Sequence, residues 1–359
     1  MEMDTRAGAA RESQDLVALP GIETCNKILV IKSSSLGDIC NALPVADVIR
    51  RHRPDADIGW VVKSPFRSII DANPNVNTVW PFARKSLMQA IKLGFALRKH
   101  KYQVALDLQS LFVSGLIARL SGARYRIAYD TKKEGSHYFN NYPIVAAKGR
   151  KRQAVDLMLD FPKLLGIREP VFRPQEWLAS AKSHEAEALL TIVKRPYAVL
   201  FVGANTPQRM WSQERWGQLA DRLSESGLTP IFVGAPQDHA ATVSARSGMK
   251  NLSYSIVGRT DLLTLGAIIG GAAVVVGGDS GPLHMAVAAG TPVVGVYGPT
   301  DPGITGPYGN LAKTVYVKQF CSPCYRRPTC GGAYFCMAAV ETDMVLKAIR
   351  DLIGNFPNS

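Results

Sequence analysis

A carboxylate beside a flexible turn is the first candidate for chemistry. The segment SSSLGD, residues 33–38, follows an apolar run, and Gly37 lets the chain turn sharply into a helix. An aspartate near a helix N-terminus is stabilised in its ionised form, so Asp38 is a candidate general base at neutral pH. The alternative interpretation is that Asp38 only caps the helix. The segment is neither a dinucleotide-binding fingerprint nor a P-loop.

A threonine and an arginine form the second candidate. The segment GANTPQRMW, residues 203–211, lies between a predicted strand and a predicted helix. A hydroxyl and a guanidinium in such a loop suit a diphosphate, which accepts charge-assisted hydrogen bonds and the amides of a helix N-terminus. We therefore predict that Thr206 and Arg209 bind phosphate; the alternative is a solvated loop.

The third candidate is the segment GGDSGPLHMAVAAGTPVVGVYGPTDP, residues 277–302. Asp279 ends a predicted strand, and the amides of Ser280 and Gly281 at the start of the next helix can point at a phosphate. His284 lies about one helical turn further on. A Ser-His-Asp hydrolase does not fit, because the G-x-S-x-G nucleophile pattern is missing. A single histidine is more often structural than functional, but here its neighbours are small and polar.

Four cysteines lie close together near the C-terminus. Such a group could hold zinc, but the spacing matches none of the common zinc fingers. We therefore predict a loop of reduced thiols and no bound metal. The cysteines are Cys321, Cys324, Cys330 and Cys336.

Alternating strands and helices must position these segments. Apolar runs predict strands at 27–32, 57–62, 77–82 and 104–108, and then at 197–202, 230–233, 252–256, 273–277 and 293–297. Helical spacing predicts helices at 86–100, 111–120, 211–226 and 282–289, the first with Leu87, Ile91 and Phe95 on one face. This alternation predicts an α/β protein with two Rossmann-like, doubly wound parallel sheets facing a central cleft. Ligands in such folds bind beyond the carboxyl ends of the strands.

The length of 359 residues also favours two domains. We predict a disordered leader at 1–24, an N-terminal domain at 25–175 and a C-terminal domain at 176–338. A last helix at 339–359 is expected to pack back on the N-terminal domain. No apolar run reaches the roughly 20 residues of a membrane span, and residues 1–20 lack the apolar core of a signal peptide. We therefore expect a cytoplasmic protein.

The net charge of +13 is concentrated in the first half. Residues 1–180 hold 27 Lys and Arg against 17 Asp and Glu, whereas residues 181–359 hold 15 against 12. This excess predicts an anionic partner for the first half. Nucleic acid is not expected, because no nucleic-acid-binding signature is present.

Taken together, three segments resemble the ADP-heptose:lipopolysaccharide heptosyltransferases. They are IKSSSLGDICNALP, DLQSLFVSGLIARLSGA and the segment at 277–302, and the resemblance runs from about residue 26 to 354. The cysteine segment is similar to one in the heptosyltransferase II branch. The resemblance implies a GT-B fold that binds the acceptor on its N-terminal domain and the donor nucleotide on its C-terminal one. It implies an inverting transfer of heptose from ADP-heptose to a sugar hydroxyl of the lipopolysaccharide inner core.

The resemblance also implies roles for residues at matching positions. Asp38 would be the catalytic base, and Thr206 and Arg209 would contact the donor diphosphate. No divalent metal or other cofactor is expected. Asp279, Ser280, Gly281 and His284 would line the donor site, and the candidate contacts with the anionic acceptor are Lys63, Arg67, Arg84, Lys85, Lys132 and Lys133.

The expected location is the cytoplasmic face of the inner membrane, with peripheral contact. The sequence departs from the family at residues 153–155, which are Gln-Ala-Val where His-Ala-Val is common, and no adenine contact can be assigned. Three alternatives stay open. They are a related transferase with another donor or a protein acceptor, a non-catalytic nucleotide-sugar-binding protein, and an epimerase or hydrolase of the same architecture.

Overall fold

A computed structural model of the chain describes residues 11–12, 16–83, 87–131, 133–145, 151–325 and 327–354. The chain divides into two compact units, Met1–Arg173 and Pro174–Ser359. This boundary lies two residues before the predicted one. No helix among these residues is long and apolar enough to cross a membrane.

The first unit is a parallel sheet covered by helices. Its strands follow the order β1-β7-β6-β5-β2-β3-β4. Buried apolar runs such as KILVI in the central strand account for the sheet. The elements in chain order are β1 (Arg11–Glu12), β2 (Lys27–Ile31), α1 (Leu36–His52), β3 (Asp57–Lys63), α2 (Arg67–Asp71), β4 (Thr78–Phe82), α3 (Leu87–Arg98), β5 (Val104–Asp107), α4 (Phe112–Leu120), β6 (Tyr125–Tyr129), β7 (Tyr142–Val145) and α5 (Ala154–Leu164).

The second unit repeats the plan with six parallel strands in the order β10-β9-β8-β11-β12-β13. Its elements in chain order are α6 (Glu176–Ser180), α7 (Ser183–Leu190), β8 (Tyr197–Phe201), α8 (Gln213–Glu225), β9 (Thr229–Val233), α9 (His239–Ser247), β10 (Tyr254–Ser255), α10 (Leu262–Gly270), β11 (Val274–Gly278), α11 (Gly281–Ala289), β12 (Val293–Tyr297), α12 (Pro302–Thr305), β13 (Ala312–Tyr316), α13 (Phe335–Ala338) and α14 (Thr342–Ile353).

Each sheet reverses its strand order at one point. In the first sheet the chain runs outward from β2 through β3 to β4, and then returns to β5 on the other side of β2. In the second it runs outward from β8 through β9 to β10, and then returns to β11. Ligands of doubly wound sheets bind outside the carboxyl ends of the strands at this switch point. The sheet order therefore directs attention to the loops after β2 and β5, and after β8 and β11.

The predicted disordered leader is wrong for the part of it that the structure describes. Leu19 and Ile22 are fully buried, and the Leu19 amide donates to the carbonyl of Leu164 in α5 at 3.1 Å. Tyr125 donates its hydroxyl hydrogen to the carbonyl of Pro20 at 2.7 Å. Burial of two large apolar side chains offsets the entropy of ordering the segment. The two-residue strand β1 also pairs with β7.

The predicted packing of the last helix is also wrong. Helix α14 contacts α8, β12 and β13 of its own unit. Its buried residues Val345, Leu346 and Ile349 belong to the core of the second unit, because together they form the apolar face of this amphipathic helix.

Helix α3 buries a different face from the one that the sequence predicts. Ala90, Gly94 and Leu97 are its buried positions. A Cβ atom at Gly94 would lie 2.4 Å from the Cβ of Leu120, so the glycine permits close contact with α4. Leu87 and Phe95, on the apolar face predicted from the sequence, are 50% and 51% exposed.

Candidate functional site

Asp38 lies at the carboxyl end of β2, in the first turn of α1. Its Oδ2 atom accepts from the backbone amide of Ser35 at 2.9 Å and from the Ser35 hydroxyl at 2.8 Å. Its Oδ1 atom lies 3.7 Å from the ammonium of Lys32. The side chain is about half exposed, whereas that of Lys32 is buried. Asp38 therefore caps the helix through its Oδ2 atom. Ser35 does not bond to the Oδ1 atom, so Oδ1 is the oxygen that can accept a proton.

The loop that carries Asp38 is fixed by residues that follow β5. The side-chain oxygen of Gln109 accepts from the amide of Ser33 at 3.1 Å and from that of Ser34 at 3.4 Å. Gln109 is held in turn by Asp107, whose Oδ1 accepts the Gln109 amide at 3.2 Å. Lys32 Nζ donates to the carbonyl of Leu108 at 3.2 Å. Two neighbouring strand ends thus form one hydrogen-bonded unit around the candidate base.

Asp107 is a buried carboxyl in this network. Burial raises the pKa of Asp107 to about 6, while hydrogen bonds from Ser110, Ser114 and Gln109 and the charge of Lys32 oppose the rise. Such a group changes its charge close to neutral pH.

One of the predicted acceptor contacts reaches the same loop. Lys63 ends β3, and its ammonium donates to the Ser34 hydroxyl at 2.8 Å. Arg67 is instead engaged on the surface of α2, where its Nε donates to Asp71 at 2.8 Å. Lys133 begins a short 3₁₀ helix. Arg84, Lys85 and Lys132 lie outside the described residues.

The two predicted phosphate-binding segments of the second unit meet at its switch point. Thr206 precedes a short 3₁₀ turn, Pro207–Arg209, after β8. Asp279 follows β11, and Ser280 and Gly281 begin α11. Arg209 Nη1 lies 3.3 Å from the Asp279 Oδ2 atom and donates to the Asp279 carbonyl at 3.3 Å. The structure therefore brings together residues that are 70 positions apart in the chain.

Three hydroxyl groups in the loops after β8, β11 and β12 are buried, and the described residues offer them no hydrogen-bond partner. Among the described residues, no hydrogen bond is made by the side-chain oxygens of Thr206, Ser280 and Thr300. Thr300 follows β12, the next strand of the sheet, and is fully buried. A buried hydroxyl without a partner costs about 1–3 kcal/mol. Such a group at a switch point indicates that a polar ligand completes the hydrogen bonds.

The charges in this site affect a buried tyrosine. Burial raises the pKa of Tyr297 well above its usual value; the charge of Asp279 raises it further and that of Arg209 lowers it. The Tyr297 hydroxyl donates to the Thr305 carbonyl at 3.0 Å. His284 is buried in the second turn of α11. The site therefore combines a cation, hydroxyls and helix N-terminal amides, which are the groups that hold a diphosphate.

Sequence reasoning missed Lys32, Asp107, Gln109 and Thr300. A signal existed for two of them, because the segment DLQS directly follows an apolar run, as SSSLGD does. Lys32 and Thr300 gave no such signal. A lysine after a strand is usually solvated, and Thr300 lies within an ordinary Gly-Pro turn.

The cysteine loop lies near the end of the second unit. Cys336 is buried, and the other three cysteines are partly buried. Burial raises the pKa of Cys324, and the neighbouring Cys321 and Cys330 raise it further. No group of three or more His, Cys, Asp or Glu side chains within the described ranges is arranged to hold a metal ion.

Comparison with known proteins identifies the family. The model of glycosyltransferase family 9 (heptosyltransferase) matches residues 90–334, more than half of the chain. The lipopolysaccharide heptosyltransferase 1 of Pseudomonas aeruginosa is 28% identical, with 85% of this chain and 87% of the relative covered. The lipopolysaccharide heptosyltransferase 2 of Escherichia coli is 26% identical, with 80% and 87% covered. Because the two identities are so similar, membership of the heptosyltransferase II branch stays a prediction.

A solved structure shows the same fold. The ADP-heptose lipopolysaccharide heptosyltransferase II of Escherichia coli superposes with a TM-score of 0.74 and 22% identity, covering 91% of this chain and 98% of that one. The predicted GT-B class, with its two Rossmann-like sheets, is thereby confirmed.

Proposed function

Because the chain belongs to glycosyltransferase family 9, the heptosyltransferases, we propose that it transfers a heptose from ADP-heptose to a hydroxyl of the lipopolysaccharide inner core. The observation that carries this proposal is the group of buried hydroxyls around Arg209 at the switch point of the second sheet. The relatives named above are lipopolysaccharide heptosyltransferases, which supports this donor and acceptor class.

The proposed donor site holds the diphosphate of ADP-heptose. Arg209 would turn from Asp279 toward the phosphates, which form stronger charge-assisted bonds with a guanidinium. The amides of Ser280 and Gly281 and the hydroxyl of Thr206 would complete the contacts, with His284 beside them. As the sugar leaves, the negative charge that develops on ADP is stabilised by these donors. We propose that this chemistry needs no divalent metal.

Asp38 is the proposed general base. An inverting transfer needs one group that takes the proton from the acceptor hydroxyl while the oxygen attacks the anomeric carbon. The bond to the ADP oxygen breaks in the same step, and the proton passes to Asp38. Two hydrogen bonds from Ser35 hold the carboxylate in place, which supports this role because a base must be oriented toward its proton.

The proposed acceptor is anionic and is bound by the basic first unit. Lys63 is the best supported contact, because its ammonium lies in the loop that carries Asp38. The other proposed contacts are Arg67, Arg84, Lys85, Lys132 and Lys133. We place the reaction at the cytoplasmic face of the inner membrane, where the enzyme would reach a lipid-borne acceptor by peripheral contact.

The deciding experiment incubates the protein with ADP-heptose and defined core oligosaccharides of increasing length, with and without EDTA. A product heavier by one heptose, formed equally well with the chelator, is the expected result. Free heptose without a lengthened acceptor would instead indicate a hydrolase. If no donor were turned over although it bound, the protein would be a nucleotide-sugar-binding protein.

A further inference from the structure

Helix α3 carries a row of exposed apolar side chains. Leu87, Met88 and Phe95 are 50%, 57% and 51% exposed, and Ile91 is partly exposed. With 3.6 residues per turn, these four residues occupy a sector about 100° wide on one side of the helix. Single exposed apolar residues are common, but a contiguous row is typical of an interaction surface.

The core of the first unit does not need this row. The helix is held by the adjacent side, where Ala90, Gly94 and Leu97 are buried, and its main contacts are with α4. Among the residues that the structure describes, the exposed row is left to solvent. Large apolar side chains that stay exposed on the folded unit indicate a contact surface for a partner outside the chain.

The surroundings of the row are strongly basic. Residues 87–129, which include α3 and the neighbouring α4, hold seven Lys or Arg and a single acidic residue, Asp107. That carboxyl is fully buried. On α3 itself Lys92 and Arg98 are exposed, as is Lys99 directly after it. The local excess of six positive charges is close to half of the net charge of +13.

We infer that the face formed by Leu87, Met88, Ile91 and Phe95 docks on an anionic lipid bilayer. An apolar stripe flanked by lysines and arginines lies along the membrane interface, with the apolar side chains inserted and the cations near the lipid phosphates. This inference rests on the proposed function only in that the acceptor is carried by a membrane. It assigns the contact to a surface that includes none of the proposed acceptor-binding residues.

Charge favours a bilayer over the other possible occupants. Two copies of the chain meeting at this face would bring two strongly basic regions together, which like-charge repulsion opposes. Nucleic acid would match the charge but not the large aliphatic side chains at the centre of the row. An anionic bilayer matches both features.

The test measures cosedimentation of the full chain with vesicles of phosphatidylcholine, with or without phosphatidylglycerol. We expect binding that requires phosphatidylglycerol and weakens as salt is raised, because salt screens the charges. The double variant Leu87→Ser/Phe95→Ser should bind at least about tenfold more weakly, since the exposed halves of the two side chains together contribute about 1.5 kcal/mol or more on insertion. The double variant Lys92→Gln/Lys99→Gln should lose about fivefold per charge. Ile192→Ser, which changes an isolated residue 74% exposed in the other unit, should bind as wild type does.

Several results would overturn the docking proposal. They are no wild-type binding to the anionic vesicles, equal binding by Leu87→Ser/Phe95→Ser, self-association that this variant abolishes in sedimentation, or a preference for RNA over vesicles. Heptose transfer to a lipid-free oligosaccharide is measured on the same proteins. Intact transfer without vesicle binding would refute the docking alone. Vesicle binding that depends on the row, without any transfer, would refute the proposed function alone.

Discussion

Replacing Asp38 separates its role as helix cap from its proposed role as general base, because asparagine preserves the cap but cannot act as a base. In Asp38→Asn the amide oxygen still accepts hydrogen bonds from Ser35, so the start of α1 keeps its cap, but the side chain no longer accepts a proton. In Asp38→Ala both Ser35 bonds, at 2.8 and 2.9 Å, are lost. Loss of such a cap costs about 1 kcal/mol, or roughly 2–4 °C in melting temperature for a unit of this size.

If Asp38 is the general base, the two variants should lose activity to the same extent. Removal of a positioned base lowers kcat by roughly 10²–10⁴-fold. The affinity for ADP-heptose, measured by calorimetry, should stay near the wild-type value. The melting temperature should fall measurably only in Asp38→Ala. The assay is kcat from the mass of the lengthened acceptor at saturating concentrations of both substrates.

A control on the same helix makes this test specific. Asp47 is paired with Arg51 at 3.0 Å on α1, and Asp47→Asn should leave kcat unchanged. If Asp38→Asn turned over at the wild-type rate while Asp38→Ala was both slow and unstable, Asp38 would be a helix cap and the base would have to be another residue.

Three further changes test other parts of the molecule. Arg209→Ala should weaken ADP-heptose binding about 10–100-fold by calorimetry, because a charge-assisted bond contributes about 1.5–3 kcal/mol, and Arg209→Lys should recover part of it; an unchanged affinity would exclude the phosphate contact. The pKa of Asp107 is raised to about 6 from roughly 4 in an unfolded chain, so the folded state binds this proton more tightly and the contribution to stability is lost as the pH rises through 6. The unfolding free energy of wild type minus that of Asp107→Asn should therefore fall by roughly 2 kcal/mol between about pH 4 and pH 7, and a flat difference would contradict the raised pKa. Leu19→Ala should destabilise the protein by about 2–5 kcal/mol in denaturant unfolding, whereas Val171→Ala, at a site 56% exposed, should cost little; equal effects would mean that the burial of Leu19 contributes nothing.

The sequence was sufficient to predict which polar residues lie at the carboxyl ends of the strands, because parallel sheets impose a simple rule. Polar residues directly after a buried strand lie at the carboxyl edge, where ligands bind, and Asp38, Arg209 and Asp279 were all found in this way. Lys32 and Gln109 were missed because their importance comes from contacts between strands that are far apart in the chain. The hydrogen bonds of Gln109 to the loop after β2 span 75 and 76 positions, and no local pattern specifies them.

Periodicity predicts that a helix has an apolar face, but it does not predict what covers that face. For α14 the apolar face is in the core, as amphipathic patterns usually indicate. For α3 the same pattern fails, because Gly94 allows the helix to approach α4 with its small residues and leaves Leu87 and Phe95 outside. The proposed docking surface rests on large apolar residues that stay exposed beside the packed face of Ala90, Gly94 and Leu97, in a region where the exposed charges are positive. Whether an apolar face is buried, as in α14, or exposed, as in α3, depends on how the helix packs, and the sequence alone does not predict this.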